Sequence, residues 1–147
     1  LAPVMSLDVL PASFGDSLLL TCHTPSRPWR LLVDTGPDET YKALQRHLRT
    51  LTPGAQGKRV IDTFVVSHID HDHIGGAAQL LNDASLDLVF GDIWFNAPAP
   101  AGTRLRGVAE GQRLAELLGA SSRVLPWNKA MNGQWLCSSA DQRCPRI

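Results

Sequence analysis

Apolar positions in the first third of the chain fall in short runs. In "LDVLPASFGDSLLLTCH" two of them, Leu7 to Leu10 and Ser17 to His23, read as strands joined by a turn containing Pro and Gly, the outline of an antiparallel hairpin. "WRLLVDTG" adds a third apolar strand, halted at Asp34, Thr35 and Gly36. The period then changes. Tyr41, Leu44, Leu48 and Leu51 recur at i, i+3, i+7 and i+10, which predicts an amphipathic helix with Lys42, Gln45, Arg46 and Arg49 on its wet side. His47 falls among the polar positions and is expected at the surface.

After the loop "TPGAQGKR", the β-branched run "VIDTFVV" predicts a short buried strand. Ile74, Ala77, Ala78 and Leu81 then share one helical face, and the glycines at 75 and 76 allow the first turn of that helix to pack closely. "LDLVFGDIWF" predicts another strand, interrupted at Gly91, and "VAEGQRLAELLGA" a helix through Leu114, Leu117 and Leu118. "VLPWNKAMNGQWLC" has no clear period and stays unassigned. Strands first, then strands alternating with helices, indicate an α/β or α+β layered sandwich, expected as one domain over residues 1–147. Loops at the strand ends would carry any site.

Composition adds exclusions. The chain is 44% hydrophobic and 19% charged, with 14 basic and 14 acidic residues and zero formal net charge. No long-range field therefore favours nucleic acid or an anionic membrane, and any polyanion contact would be local. No apolar run approaches the roughly 20 residues of a membrane span, and no basic segment precedes an apolar signal core, so a cytoplasmic location is expected. Cys22, Cys137 and Cys144 are too scattered for a disulfide framework and are read as reduced thiols. The aromatics Trp94, Phe95, Trp127 and Trp135 are expected to fill the core rather than to anchor a partner.

Chemistry concentrates in "FVVSHIDHDHIGG", where three of the five histidines and two aspartates fall within six positions. The candidate ligands are His68, Asp70, His71, Asp72 and His73. On an extended segment, residues two apart face the same way, so His68 and Asp70 can converge on one point. Where the chain turns into the helix, Asp72 and His73 can approach a neighbouring point from another side. A lone Asp at a helix start is usually a cap, and Asp72 is placed for that too. Five such groups between a buried strand and a helix are nevertheless costly to gather unless a cation neutralises them. Imidazole suits zinc, carboxylates draw the preference toward harder ions such as manganese or magnesium, and the mixed nitrogen and oxygen set fits zinc, manganese or iron. Two nearby divalent cations would activate water and hold both oxygens of a displacement, which implies hydrolysis.

These residues resemble the signature of the metallo-β-lactamase superfamily, written H-x-H-x-D-H and followed by Gly-Gly. "LDVLPASFGDSLLL" is similar to that family's N-terminal hairpin and "LLVDTG" to the strand whose terminal Asp supports the metal loop. The resemblance implies an αββα sandwich, expected here as its N-terminal half and incomplete at the C-terminus. It places His68, Asp70, Asp72 and His73 as metal ligands, Asp72 also as the residue that orients or deprotonates water, and Asp34 as a support of the ligand loop. His71 takes a variable place. Asp70 stands where the signature has His, a variant similar to the metallo-hydrolase domain of competence DNA-uptake proteins, whose "GD" and "DTG" elements also resemble Gly15-Asp16 and Asp34-Thr35-Gly36. The family draws further ligands, a histidine among them, from its second half. No histidine follows His73, and Asp87, Asp92, Glu110 and Asp141 occur in no context that matches those ligands.

The resemblance thus implies a metal-dependent hydrolase with two divalent cations, zinc first and manganese or iron next, acting on an ester or phosphodiester bond of a small-molecule or phosphodiester substrate. Nucleic acid would be held only if Arg104, Arg106, Arg113 and Arg123 formed a local anion-binding strip. The competing reading is a truncated, non-catalytic metal-binding or interaction module.

Overall fold

In the computed structural model, which describes residues 4–95, 108–120 and 125–129, the apolar runs become strands of one sheet. They are β1 (Val4–Val9), β2 (Leu18–His23), β3 (Trp29–Val33), β4 (Arg59–Val66) and β5 (Leu88–Phe95). The sheet is five-stranded and mixed, in the order β1-β2-β3-β4-β5. β1, β2 and β3 form an antiparallel meander, as short turns permit. β3 and β4 run parallel because helix α1 (Tyr41–Thr50) lies between them in sequence, and β5 is parallel to β4 in turn. Such a sheet with its helices is α+β, within the layered class expected from the strand and helix pattern.

Register explains the core. Leu19 pairs with Leu32, Leu32 with Phe64, and Phe64 with Ile93, so four side chains form a row across β2 to β5. All four are fully buried, each contributing roughly 1.5–3 kcal/mol of apolar burial. Against the row lie Tyr41, Leu44 and Leu48 of α1, Leu80 and Leu81 of α3 (Ala77–Asn82), and Leu114 and Leu118 of α4 (Val108–Ala120). Phe95 is buried and stacks on Trp127, which packs against the same core, while Trp94 is half-buried and Trp135 lies outside the described residues. At the sheet edge, β1 leaves Val4, Met5, Leu7 and Val9 exposed. No helix among the described residues is long and apolar enough to cross a membrane.

Four local expectations need correction. β1 spans Val4–Val9 instead of starting at Leu7, because pairing with β2 carries the ladder back to Val4↔His23. β5 continues through Gly91: a side chain there would meet the Asp62 carbonyl of β4, so the glycine allows a close approach without ending the strand. Gln45, expected on the wet side of α1, is buried and donates to the Asp83 carboxylate, which also accepts the Tyr41 hydroxyl at 2.6 Å. His47, expected in solvent, is half-buried with Nε2 3.6 Å from Asp8.

Candidate metal centre

The site lies at the C-terminal ends of the parallel strands β3 and β4, where the crevice of an open α/β sheet usually carries function. β3 ends at Val33, and Asp34 follows with φ +56°, a left-handed conformation that costs a non-glycine residue roughly 1–3 kcal/mol unless its surroundings hold it. Here they do. Its N–H donates to the Val65 carbonyl (2.9 Å), and its buried carboxylate accepts from the Ser67 N–H (2.8 Å), the Ser67 hydroxyl (2.6 Å) and His73 Nδ1 (2.9 Å). A carboxylate only accepts, so the His73 proton sits on Nδ1 and the Nε2 lone pair faces outward. Thr35 completes the attachment, its N–H and hydroxyl both reaching the His73 carbonyl at 2.9 and 3.1 Å.

β4 ends at Val66 and the cluster occupies the turn and the short helix α2 (His71–Ile74) beyond it. The sequence pattern predicts one helix here, but there are two. The Asp72 carbonyl accepts from Asp16 N–H (3.3 Å), and the Gly76 N–H that would have reached it donates instead to the Gly36 carbonyl (3.0 Å), so α2 stops and α3 begins at Ala77. Gly15 makes this contact possible. Any side chain there would overlap the Asp72 carbonyl oxygen, so the turn after β1 can lie against the ligand loop only as glycine.

Of the five candidate ligands, four are brought together. The rings of His68 and His73 lie with centroids 3.7 Å apart. His68 Nε2 is 3.8 Å from Asp70 Oδ2, and His73 Nε2 is 3.5 Å from Asp72 Oδ2. Donor atoms of His68, Asp70 and Asp72 fall within 4.8 Å of one another. Donors sharing one tetrahedral cation at 2.0–2.1 Å would stand about 3.3 Å apart, so modest inward motion would let these three share an ion. Neither carboxylate is spent on a cap: Asp70 takes the N-cap position of α2 without a side-chain capping bond. Neutral-nitrogen and carboxylate donors, with His73 anchored from behind by a carboxylate, form a donor set that fits a divalent transition metal.

The fifth candidate, His71, turns away. Its Nε2 lies 3.2 Å from Asp38 and 3.7 Å from Glu39, and its Nδ1 3.6 Å from Glu110. Among the other downstream carboxylates, Asp87 pairs with Lys58, and the buried Asp92 accepts from Ile93 N–H and Trp94 Nε1, which makes it part of the sheet's wiring. Asp141 lies outside the described residues, as do Arg104, Arg106 and Arg123, while Arg113 is exposed on α4. Pattern reading missed Ser67. Its only signal is its place immediately before His68, and its role depends on Asp34, which is 33 positions away. Asp16, 3.8 Å from His73 Nδ1, adds another carboxylate at the rim.

A family model described as Metallo-beta-lactamase superfamily matches residues 30–122, more than half of the chain and all of the cluster with Asp34. No curated protein matches the chain.

Proposed function

Because the chain belongs to the metallo-beta-lactamase superfamily, typically metal-dependent hydrolases, we propose that it hydrolyses an ester or phosphodiester bond of a small-molecule substrate. Its cations would be two divalent ions, zinc first and manganese or iron next, held by His68 with Asp70 and by His73 with Asp72. The observation that carries the reading is the paired imidazoles, 3.7 Å apart, with Nε2 atoms directed to Asp70 and Asp72 while Asp34 anchors His73 from behind. When bound, such ions supply Lewis acidity and lower the pKa of water from 15.7 to about 7.

The chain's own residues do the rest. Asp72, half-buried with Oδ2 3.5 Å from His73 Nε2, would give that oxygen to a cation and with the other orient the attacking water and accept its proton. Asp34 and Thr35 keep the His73 ring and its carbonyl fixed, so the loop does not have to reorganise as charge develops. Asp16, Asp70 and Asp72 make the rim acidic, so without cations it would repel a phosphodiester. The zero net charge argues against a strong grip on long nucleic acid.

Metal analysis of the purified protein tests this, together with turnover of bis-p-nitrophenyl phosphate and of a p-nitrophenyl ester. About two equivalents of zinc with turnover of either substrate is expected, and Asp72→Ala should reduce it at least ~100-fold, the scale of lost acid–base catalysis. One equivalent or none, without turnover, would leave a non-catalytic metal-binding or interaction module. An active Asp72→Ala protein would remove the role given to that carboxylate.

A further inference from the structure

Asp34 holds one ring directly, and the second ring reaches it through a hydroxyl. Ser67 Oγ lies 2.6 Å from Asp34 Oδ2 and 2.9 Å from His68 Nδ1. A serine hydroxyl carries one proton and accepts with its lone pairs, whereas the carboxylate can only accept. The single Ser67 proton is therefore spent on Asp34, and the contact to His68 closes only if Nδ1 carries the hydrogen. We propose that Ser67 is a positioning residue that selects the Nδ1–H tautomer of His68 and so leaves its Nε2 lone pair for a cation.

One buried carboxylate thereby orients two imidazoles by two routes, directly to His73 Nδ1 and through Ser67 to His68 Nδ1. The routes are unequal in a useful way. Asp34 is 3% exposed and His73 13%, whereas His68 is 46% exposed in its side chain, so His68 has fewer packed neighbours to fix its ring. The Ser67 N–H is itself bonded to Asp34 Oδ1 at 2.8 Å, which holds the residue in place and leaves the hydroxyl as the adjustable part. With the proton on Nε2 instead, His68 would present a donor to Asp70 and could not ligate until it changed tautomer.

The inference rests on the metal-binding reading for its purpose, but its test can be read on the metal-free protein. Long-range proton–nitrogen correlation spectra at pH 8 distinguish the two tautomers of each ring. In the wild type both His68 and His73 should be Nδ1–H. In Ser67→Ala, His68 should pass largely to Nε2–H while His73, held by Asp34 directly, stays unchanged and reports that the loop is folded. Zinc affinity, from competition with a fluorescent chelator, should fall about 10- to 100-fold in Ser67→Ala. Ser67→Thr, which restores the hydroxyl, should restore tautomer and affinity together. A wild-type His68 in the Nε2–H form, or a Ser67→Ala protein with tautomer and affinity unchanged, would overturn the assignment. A wild type that binds no zinc but shows the Nδ1–H form at His68 would defeat the functional reading and leave the tautomer role standing.

Discussion

Asp34 shows what one residue can carry. Three donors converge on its carboxylate, and its left-handed backbone is tolerable because they over-determine it. Asn is the informative replacement, since it also accepts left-handed angles. The Ser67 backbone N–H still needs an oxygen at the Oδ1 place, so the amide nitrogen takes the place of Oδ2 and faces both Ser67 Oγ and His73 Nδ1, and a donor opposite Nδ1–H drives the His73 proton to Nε2, into the site. Asp34→Asn should therefore retain its circular-dichroism spectrum and lose zinc affinity by about 10- to 100-fold, with the His73 tautomer changed and the Ser67 proton freed to donate to His68 Nδ1. A chelator-competition titration checks it. At this scale the sequence marks the candidate ligands because charged groups are rarely packed so densely without a counter-ion. It does not show Ser67, whose significance exists only once β3 and β4 lie side by side. Gln45 was misread for a similar reason: an amide on a helix reads as wet until a carboxylate from elsewhere, Asp83, is brought against it.

At the level of elements, the turn after β1 and the loop after β4 fit only because Gly15 lacks a side chain. Gly15→Ala must displace either the turn or the Asp72 carbonyl, and overpacking of this kind typically costs about 1–3 kcal/mol. Urea unfolding should show that loss in the metal-free protein, and zinc affinity should fall with it because Asp72 moves. A second junction ties α1 to the loop after α3. Burial alone would raise the Asp83 carboxyl, but hydrogen bonds from Ser85, Tyr41 and Gln45 outweigh it and bring the group down to about 2 from its ordinary 3.8. The folded value is lower than the unfolded one, so this contribution to stability is complete above the ordinary carboxylate range and disappears as pH falls toward about 2. Asp83→Asn should be less stable than wild type at pH 6, and the two should converge between pH 4 and 2 in urea midpoints. Helix and strand types were legible from periodicity, whereas the split between α2 and α3 was not. It follows from Asp72 and Gly76 each finding a partner outside the helix, and period carries no information about that.

For the molecule as a whole, a net charge of zero conceals a separation along the strand direction. Arg27 pairs with Asp62, and Lys58 with Asp87, near the starts of β3, β4 and β5, whereas the acidic groups around the candidate ligand loop sit at the opposite strand ends, beside histidines. Composition shows that the two signs of charge balance but could not show this arrangement, because it requires β3 and β4 to be parallel and in register. The resemblance read from the loop and the match over residues 30–122 agree on the family, and the row from Leu19 to Ile93 explains why the strand ends meet where they do. A cation bound there couples to the stability of the whole fold, since the unfolded chain has no such focus. At free zinc one hundred times the dissociation constant, the gain is about 2.7 kcal/mol. For a chain of this size that should raise the melting temperature by roughly 5–10 °C. A thermal melt with zinc should show the rise, and excess chelator should abolish it. His73→Ala should remove most of the rise, while His23→Ala, at the far end of β2, should keep it. An equal zinc response in both variants would mean that the ion binds elsewhere on the surface.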